Sequence, residues 1–363
     1  MLCFLAKFSH IFGPLRLFDY VTFRAGGAFV TSFLIVLLLG KTTARLLRKF
    51  NTVSAERLAG LVPEEFIDKR KSKTPCMGGL LLIGAVVVAS IFWTDISGAI
   101  APVFIGCTAL FSLIGFFDDY IKTAHHDRDG MPGKIKFLLT VLVAAAGWCV
   151  VRFCSPLGAT LDQFYVPFCK DPFDGRYYCW FLAILTIVGA SHAVNLTDGK
   201  DGLASGCAIF STLTYAIFAY LMGHKIFAGY LNIPYVPGMQ EAVVFAAAIC
   251  GSCIGFLWHN CQPASMFMGD TGSIALGGAI GMLAVVTRQE LLLIIVGGVF
   301  VMEAVSVMIQ VASFRLTGKR VFLCTPIHHH FERLNWTESQ IVIRFWIIAG
   351  VLALLALSTL KLR

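Results

Sequence analysis

Apolar runs of membrane-spanning length recur from one end of this chain to the other, and they leave it little choice of fold. A helix needs roughly 20 apolar residues, within a range of about 17–25, to cross the hydrocarbon of a bilayer. Reading for such runs gives ten: Val21–Gly40, Gly78–Trp93, Ala101–Phe117, Phe137–Val151, Cys179–Val194, Ala204–Met222, Ala242–Trp258, Ser273–Thr287, Leu291–Val311 and Phe345–Leu360. The second, fourth and eighth are short for the task, so boundaries are expected to move by several residues. Backbone facing lipid must satisfy its own hydrogen bonds, so each run is expected to be helical. The fold class is therefore all-α, a polytopic integral membrane protein with about ten transmembrane helices. Residues 1–363 read as one transmembrane domain, with no internal repeat, low-complexity tract or separable soluble unit. Gly277 and Gly281 form a G-x-x-x-G in the eighth run, a spacing that suits close helix contact.

Composition agrees. Only 14% of the 363 residues are charged, where a soluble domain carries about 25%, and the mean hydropathy is +0.78. The formal net charge of +8 admits a nucleic-acid partner in principle. No basic helix or RNA-type aromatic motif accompanies it, so no nucleic acid is expected. Lys and Arg beside spans have a simpler partner, the anionic headgroups of membrane lipid. The 12 cysteines are scattered, many of them inside apolar runs such as Cys107, Cys149, Cys207 and Cys253, and read as small buried hydrophobes. The opening MLCFLAKFSH has no small-residue cleavage site, so the first run is expected to be an uncleaved anchor.

The loops predict an orientation. With the N-terminus outside, the odd-numbered loops face the cytosol, and they hold 19 of the chain's 29 Lys and Arg, nine of them in Lys41–Met77. That bias places both termini outside. The same assignment gathers Asp118-Asp119, the Asn195–Asp201 stretch, Asn260 with Asp270, and His328-His329-His330 on one face. Ten crossings could have divided these groups between two compartments.

Each stretch has its own chemistry. Asp118-Asp119 closes the run SLIGFFDDY, and carboxylates at the end of an apolar helix need water, a partner or a metal. Adjacent helical residues diverge by about 100°, so one of the two is expected to point into a common site. In Asn195-Leu-Thr-Asp198-Gly-Lys200-Asp201-Gly202, the two aspartates share a face if the segment is helical; a plain turn would use the same residues. Asp270 lies between glycines near an expected helix N-terminus, which offers free N–H groups to phosphate, while carboxylate and phosphate oxygens suit Mg²⁺. Phe267 could stack on a base or simply anchor at the interface. The run Thr325-Pro-Ile-His328-His329-His330-Phe331-Glu332 lacks a zinc-type ligand framework and reads as imidazoles that meet phosphate. Lys69-Arg70-Lys71-Ser72-Lys73 reads either as a topology-setting basic stretch or as a phosphate contact. Carboxylates for a metal beside Lys, His and Asn for phosphates point to phosphoryl transfer at a membrane surface. A transporter of phosphorylated lipid is the competing class, but transporters place their sites near the bilayer midplane.

The runs GFFDDY, AVNLTDGKDGLA, FMGDTGS, GGVFVMEAVSVMIQ and PIHHHFE resemble the phospho-N-acetylmuramoyl-pentapeptide transferase family. That family lies within the polyprenyl-phosphate N-acetylhexosamine-1-phosphate transferase superfamily. The likeness extends from TFRAGGA to the terminal STLKLR, and PIHHHFE is the signal for this branch. The resemblance implies a ten-helix enzyme of the bacterial cytoplasmic membrane, with its site facing the cytosol, Mg²⁺ as cofactor, and homodimers plausible. Its substrates would be UDP-MurNAc-pentapeptide and undecaprenyl phosphate, its products lipid I and UMP, its pathway peptidoglycan biosynthesis. The alternative is the sister reaction, transfer of GlcNAc-1-phosphate from UDP-GlcNAc to a polyprenyl phosphate.

By motif position, the resemblance makes Asp270 the magnesium ligand and Asp118 and Asp119 the paired catalytic aspartates. Asp198 joins the catalytic set, and Asn195, Asp198 and Asp201 lie on the uridine and phosphate side, with Phe267 near the nucleobase. Lys71, Lys73, Lys122, Lys134, Asn260, Gln310, His328, His329 and His330 are implied as further substrate-binding residues. Three departures from the family pattern stand out, the first being Lys71-Ser-Lys73-Thr-Pro-Cys76-Met-Gly-Gly, where either Lys71 or Lys73 fills the family's basic position. Lys200 occupies a position where leucine is usual, either drawing down the neighbouring aspartates or facing solvent. Lys134-Ile-Lys136 leaves the lysine match ambiguous by two positions.

Overall fold

The computed structural model describes residues 2–49, 74–124, 130–166, 169, 172–175 and 178–361. After two 3-10 turns, Leu2–Phe8 and Gly13–Asp19, the chain runs through α1 (Val21–Lys49), α2 (Gly79–Trp93), α3 (Ile100–Ala124) and α4 (Gly133–Cys154). A two-residue antiparallel pair, β1 (Gln163–Phe164) with β2 (Phe173–Asp174), leads into α5 (Cys179–Thr197) and α6 (Leu203–Met222). Then come α7 (Lys225–Tyr230), α8 (Gln240–Asn260), α9 (Asp270–Val286), α10 (Leu293–Val296), α11 (Gly298–Thr317), α12 (Ile327–Arg333) and α13 (Glu338–Ser358). Among the described residues, 8 helices are long and apolar enough to cross a membrane, and α2 and α9 are shorter apolar helices. The fold is all-α and polytopic, with all ten expected runs helical.

Helix α9 is the axis of the bundle: every one of its 17 residues is buried. Its neighbours approach because small residues let them. A Cβ on Gly277 would stand 2.4 Å from the Ala190 carbonyl oxygen, and one on Gly281 2.6 Å from Ile187 Cα, both on α5. Across the other face, a Cβ on Gly115 of α3 would lie 2.1 Å from the Asp270 carbonyl oxygen. The G-x-x-x-G thus does what its spacing predicts, letting backbones meet where no side chain could fit. Helices α1 and α8 pair in the same way, with Gly251 against the Phe29 carbonyl. At the end remote from Asp270, Arg24 of α1 donates to both oxygens of Glu241 on α8 at 2.8 and 2.9 Å. Glu241 also accepts from the Asp95 backbone at 2.7 Å, tying three elements with one carboxylate.

Three boundaries depart from expectation. The third run extends through Ala124, so Asp118-Asp119 sits within a helix and not at its end. The ninth run is broken between α10 and α11 at Gly297-Gly298, where two residues without side chains weaken the helix in mid-run. The tenth begins at Glu338, because Thr337 and Gln340 form a reciprocal capping box that an apolar-run reading overlooks. Cys250 and Cys253 have C-x-x-C spacing and are both buried inside α8, where they pack as small apolar groups, whereas Cys149, expected to be buried, is exposed on α4.

Candidate active site

Chain direction alternates, so the C-terminal ends of α3, α5 and α8 meet the N-terminal ends of α4, α6 and α9. The chemistry-bearing residues gather there. Asp270 is the first residue of α9, preceded by Gly269 at φ +73°, a backbone conformation that an L side chain adopts only with strain. The side chain of Asp119 holds this helix start. It accepts from the backbone N–H of Asp270 at 3.2 Å and of Thr271 at 2.9 Å, and from the Thr271 hydroxyl at 2.7 Å. A carboxylate from one helix therefore satisfies the exposed N–H groups that open another.

Asp118 is turned about a quarter-circle away and meets cations. Lys122, one turn on, bonds Asp118 and also Asp270, the latter at 2.8 Å. Lys136, from the first turn of α4, lies 3.3 Å from Asp118 Oδ2 and 2.5 Å from Asp270 Oδ2. The other Asp118 oxygen accepts from the Met131 backbone at 2.9 Å. Asn195, near the end of α5, donates to Asp270 Oδ1 and to Ser273 Oγ, each at 2.9 Å. Of the two lysines, Lys136 reaches both aspartates, whereas Lys134 is exposed on α4.

The two adjacent aspartates divide the work more finely than expected. Oxygens of Asp118, Asp119 and Asp270 all lie within 4.8 Å of one another, so both neighbours reach the common site. Asp119 does so through the helix start, and Asp118 through the lysines. The three buried carboxylates are able to coordinate a divalent cation. Their all-oxygen, thiol-free donor set is the one a hard cation prefers. Each of the three already accepts hydrogen bonds in this arrangement, Asp119 from the start of α9 and Asp118 and Asp270 from the two lysines.

The remaining sequence candidates fall into groups. Asp198 and Asp201 lie on a turn between α5 and α6 and do not share a helical face: Asp198 ends α5, and Gly202 at φ +79° precedes α6. Asp201 accepts from the Ala264 backbone at 3.1 Å, joining that turn to the loop before α9. Asn260 does likewise, accepting from Gly202 N–H at 2.9 Å and donating to the Met266 carbonyl at 3.0 Å. The backbone of Phe267 pairs with Pro75 and Gly78 at 2.8 Å each, fixing the half-buried ring in the same loop. Gln310 clasps the loop after α11 through the backbone of Val321 and Phe322. Lys71 and Lys73 lie outside the described residues.

The three histidines occupy α12 and differ from one another. His328 is buried, with Nδ1 3.1 Å from Glu303 Oε2 on α11. Burial pushes its pKa down, against the opposing pull of Glu303. His329 is partly exposed and places Nδ1 2.9 Å from Glu332 Oε2. His330 accepts from the Leu323 backbone through Nδ1 at 3.2 Å. Glu332 also meets Lys200 Nζ at 2.7 Å. Its carboxyl is pulled down to about 2, chiefly by the hydrogen bond from His329, with burial opposing and Lys200 reinforcing. Lys200 thus does not face solvent but reaches Glu332 on α12.

Sequence reasoning left Lys136 as an alternative to Lys134 and missed Thr271, Ser273, Glu303 and Glu332 as parts of this arrangement. Glu303 carried a usable signal, since a lone carboxylate inside an apolar run needs a partner. Glu332 carried another: it follows His329 by three residues, the spacing of neighbours on one helical face.

Comparison with known proteins agrees with the geometry. Residues 101–288 match the model of a family described as glycosyl transferase family 4, a segment that contains the three aspartates, Lys122, Lys136 and Asn195. The phospho-N-acetylmuramoyl-pentapeptide-transferase of Desulfotalea psychrophila is 45% identical over 98% of this chain and 100% of its own length. The protein of that name from Methylacidiphilum infernorum is 42% identical over 100% of both chains, and that of Leptospira biflexa is 42% identical over 98% of each. Likeness at this level, along the whole length and through every helix that builds the site, means that the chain belongs to the phospho-N-acetylmuramoyl-pentapeptide-transferase family.

Proposed function

We propose that the protein transfers phospho-MurNAc-pentapeptide from UDP-MurNAc-pentapeptide to undecaprenyl phosphate, giving lipid I and UMP in peptidoglycan biosynthesis. The observation that carries this reading is the 42–45% identity to transferases of that name across essentially the full chain. The buried aspartate cluster supplies the chemistry such a reaction needs. A single transmembrane domain, residues 1–363, performs it. The site faces the cytosol and both termini lie outside, as the Lys- and Arg-rich loops favour.

In the transfer, an oxygen of the lipid phosphate forms a bond to the β-phosphorus of the nucleotide sugar. The bond from that phosphorus to the bridging oxygen breaks, and its electron pair leaves with UMP. A phosphate monoester with a second pKa near 6 is already largely ionised at neutral pH, so Asp118 chiefly positions the acceptor, together with Lys122 and Lys136. These ammonium groups, already held between two carboxylates, offset the charge of two phosphorylated substrates meeting at one point. Asp270, in the cluster it forms with Asp118 and Asp119, would hold Mg²⁺, which when bound neutralises the diphosphate and the departing phosphate. Asn195 keeps Asp270 oriented. Asp198, Asp201 and Phe267 serve the uridine side, and His329 and His330 the phosphates. A homodimer, implied by family resemblance, would be read from the mass of the solubilised particle.

The test is UMP release by solubilised protein supplied with undecaprenyl phosphate, Mg²⁺ and either UDP-MurNAc-pentapeptide or UDP-GlcNAc. Release with the muramoyl donor alone, stopped by EDTA, is the expected result. Release only with UDP-GlcNAc would move the protein to the sister reaction. A phosphorylated aspartate trapped with donor alone would replace direct attack by a two-step route.

A further inference from the structure

Lys200 lies in the turn between two site aspartates, at a position where the family resemblance leads one to expect leucine. Its side chain is 7% exposed, and a buried ammonium group needs a counter-charge. The counter-charge is Glu332 on α12, whose Oε1 is 2.7 Å from Lys200 Nζ. The other oxygen of the same carboxylate, Oε2, lies 2.9 Å from His329 Nδ1. Each Glu332 oxygen thus has one polar partner, and the carboxylate bridges the α5–α6 turn to the histidine helix.

An ionised carboxylate only accepts hydrogen bonds, so the ring nitrogen facing it must carry the proton. Glu332 remains ionised at neutral pH, since its carboxyl is drawn down to about 2. The proton of a neutral His329 therefore belongs on Nδ1, and Nε2 is the nitrogen left for substrate. The adjacent ring repeats the pattern: His328 gives Nδ1 to Glu303 at 3.1 Å, and the two ring centroids are 4.2 Å apart. Two neighbouring imidazoles, tilted 51° to each other and each gripped at Nδ1 by a glutamate, are held with a defined polarity.

We infer that Glu332 and Lys200 are positioning residues that fix the ring orientation and Nδ1–H tautomer of His329, so that Nε2 meets the donor substrate. What His329 then touches rests on the transferase reading; the tautomer does not. Lys200 acts at one remove. By holding the second oxygen of Glu332, it anchors the carboxylate against α12 and keeps it aimed at the ring. Where leucine stands in its place, that anchor is missing.

The experiment is ¹⁵N NMR of histidine-labelled full-length protein in detergent at pH 7.5, with the His329 signals assigned by His329→Gln. Donor kinetics are measured alongside. Wild-type His329 is expected to show protonated Nδ1 and unprotonated Nε2. Glu332→Ala should shift the proton toward Nε2 and raise KM for the UDP-linked donor about tenfold, with a smaller change in kcat. Glu332→Gln, which keeps an acceptor oxygen, should restore the Nδ1–H pattern and most of the affinity. Lys200→Leu should give an intermediate mixture of tautomers and a KM between those of wild type and Glu332→Ala; it remains informative if the alanine variant folds poorly. An Nε2–H tautomer in the wild type, or one unmoved by both Glu332→Ala and Lys200→Leu, overturns the inference. Absence of transferase activity alongside the expected NMR pattern would overturn the functional reading instead.

Discussion

Asp119 accepts both the backbone N–H and the hydroxyl of Thr271, at 2.9 and 2.7 Å. The carboxylate of α3 thereby does for α9 what an N-cap side chain does for its own helix. Asp118, its immediate neighbour, bonds the two lysines and the Met131 backbone instead. The two substitutions should therefore separate. Asp119→Asn places an amide among N–H donors and should lower stability by about 1–2 kcal/mol, visible as a lower Tm. Asp118→Asn should leave Tm nearly unchanged and remove most of the turnover. Equal Tm losses in both variants would contradict this division.

Lys136 and Lys134 are two residues apart, hence about 200° apart around a helix. Only Lys136 reaches Asp118 and Asp270. Lys136→Met should reduce kcat/KM at least about a hundredfold, since it leaves a charge site half-neutralised. Lys134→Met should stay within about threefold of wild type. Steady-state UMP release by the two variants decides the point, and a reversed order would reassign the pair.

Divalent cation should raise the thermal stability of the solubilised protein, because a ligand bound only to the folded state stabilises it by mass action. The increment in Tm on adding Mg²⁺, measured against an EDTA control, is expected to be absent in Asp270→Asn. That variant should also lose turnover. If the increment persists in full, the ion binds away from the aspartate cluster.

His328 gives a pH dependence whose sign follows from burial. Its pKa is lowered from 6.5 in the folded protein, with desolvation the leading cause. Below about pH 6.5 the unfolded chain takes up a proton that the folded chain resists, so the unfolded state binds more protons and stability falls as pH drops. The stability is fully present above 6.5. Tm should decline as pH is lowered from 7 to 5.5, and His328→Asn should flatten that slope. An unchanged slope would mean that other groups carry it.

The bundle was legible in the sequence because a bilayer demands apolar helices: among the described residues 8 are long enough to cross, and α2 and α9 are shorter apolar helices. The break at Gly297-Gly298 was not, since both residues sit inside a run whose hydropathy is uninterrupted. The start of α13 was written in Thr337 and Gln340, polar residues that a search for apolar length passes over. In the site, Asp270 at a helix N-terminus followed from its glycines. The partnership of Asp118 with Lys122 was readable as an i,i+4 pair.

The missed residues share a physical reason. Lys134 and Lys136 are equivalent as charges, and only the phase of α4 separates them. The partners of Glu303 and Glu332 depend on which elements become neighbours, which no local spacing encodes. Asn260 and Gln310 look like ligands by residue type, yet each has its polar atoms bonded to backbone. A polar side chain near a site is as readily part of its frame as of its chemistry.

The full enclosure of α9 has a consequence for how the protein lives in different membranes. Seventeen residues rise about 25 Å, less than the roughly 30 Å of an average hydrocarbon core. No lipid touches this helix, so acyl-chain length has no direct purchase on it. Thicker or thinner bilayers act on the outer helices, which can tilt to match them. The depth of Asp270 is fixed instead by glycine contacts with α3 and α5. The catalytic geometry is thereby insulated from lipid composition, and a cell that remodels its acyl chains with temperature keeps the same active site.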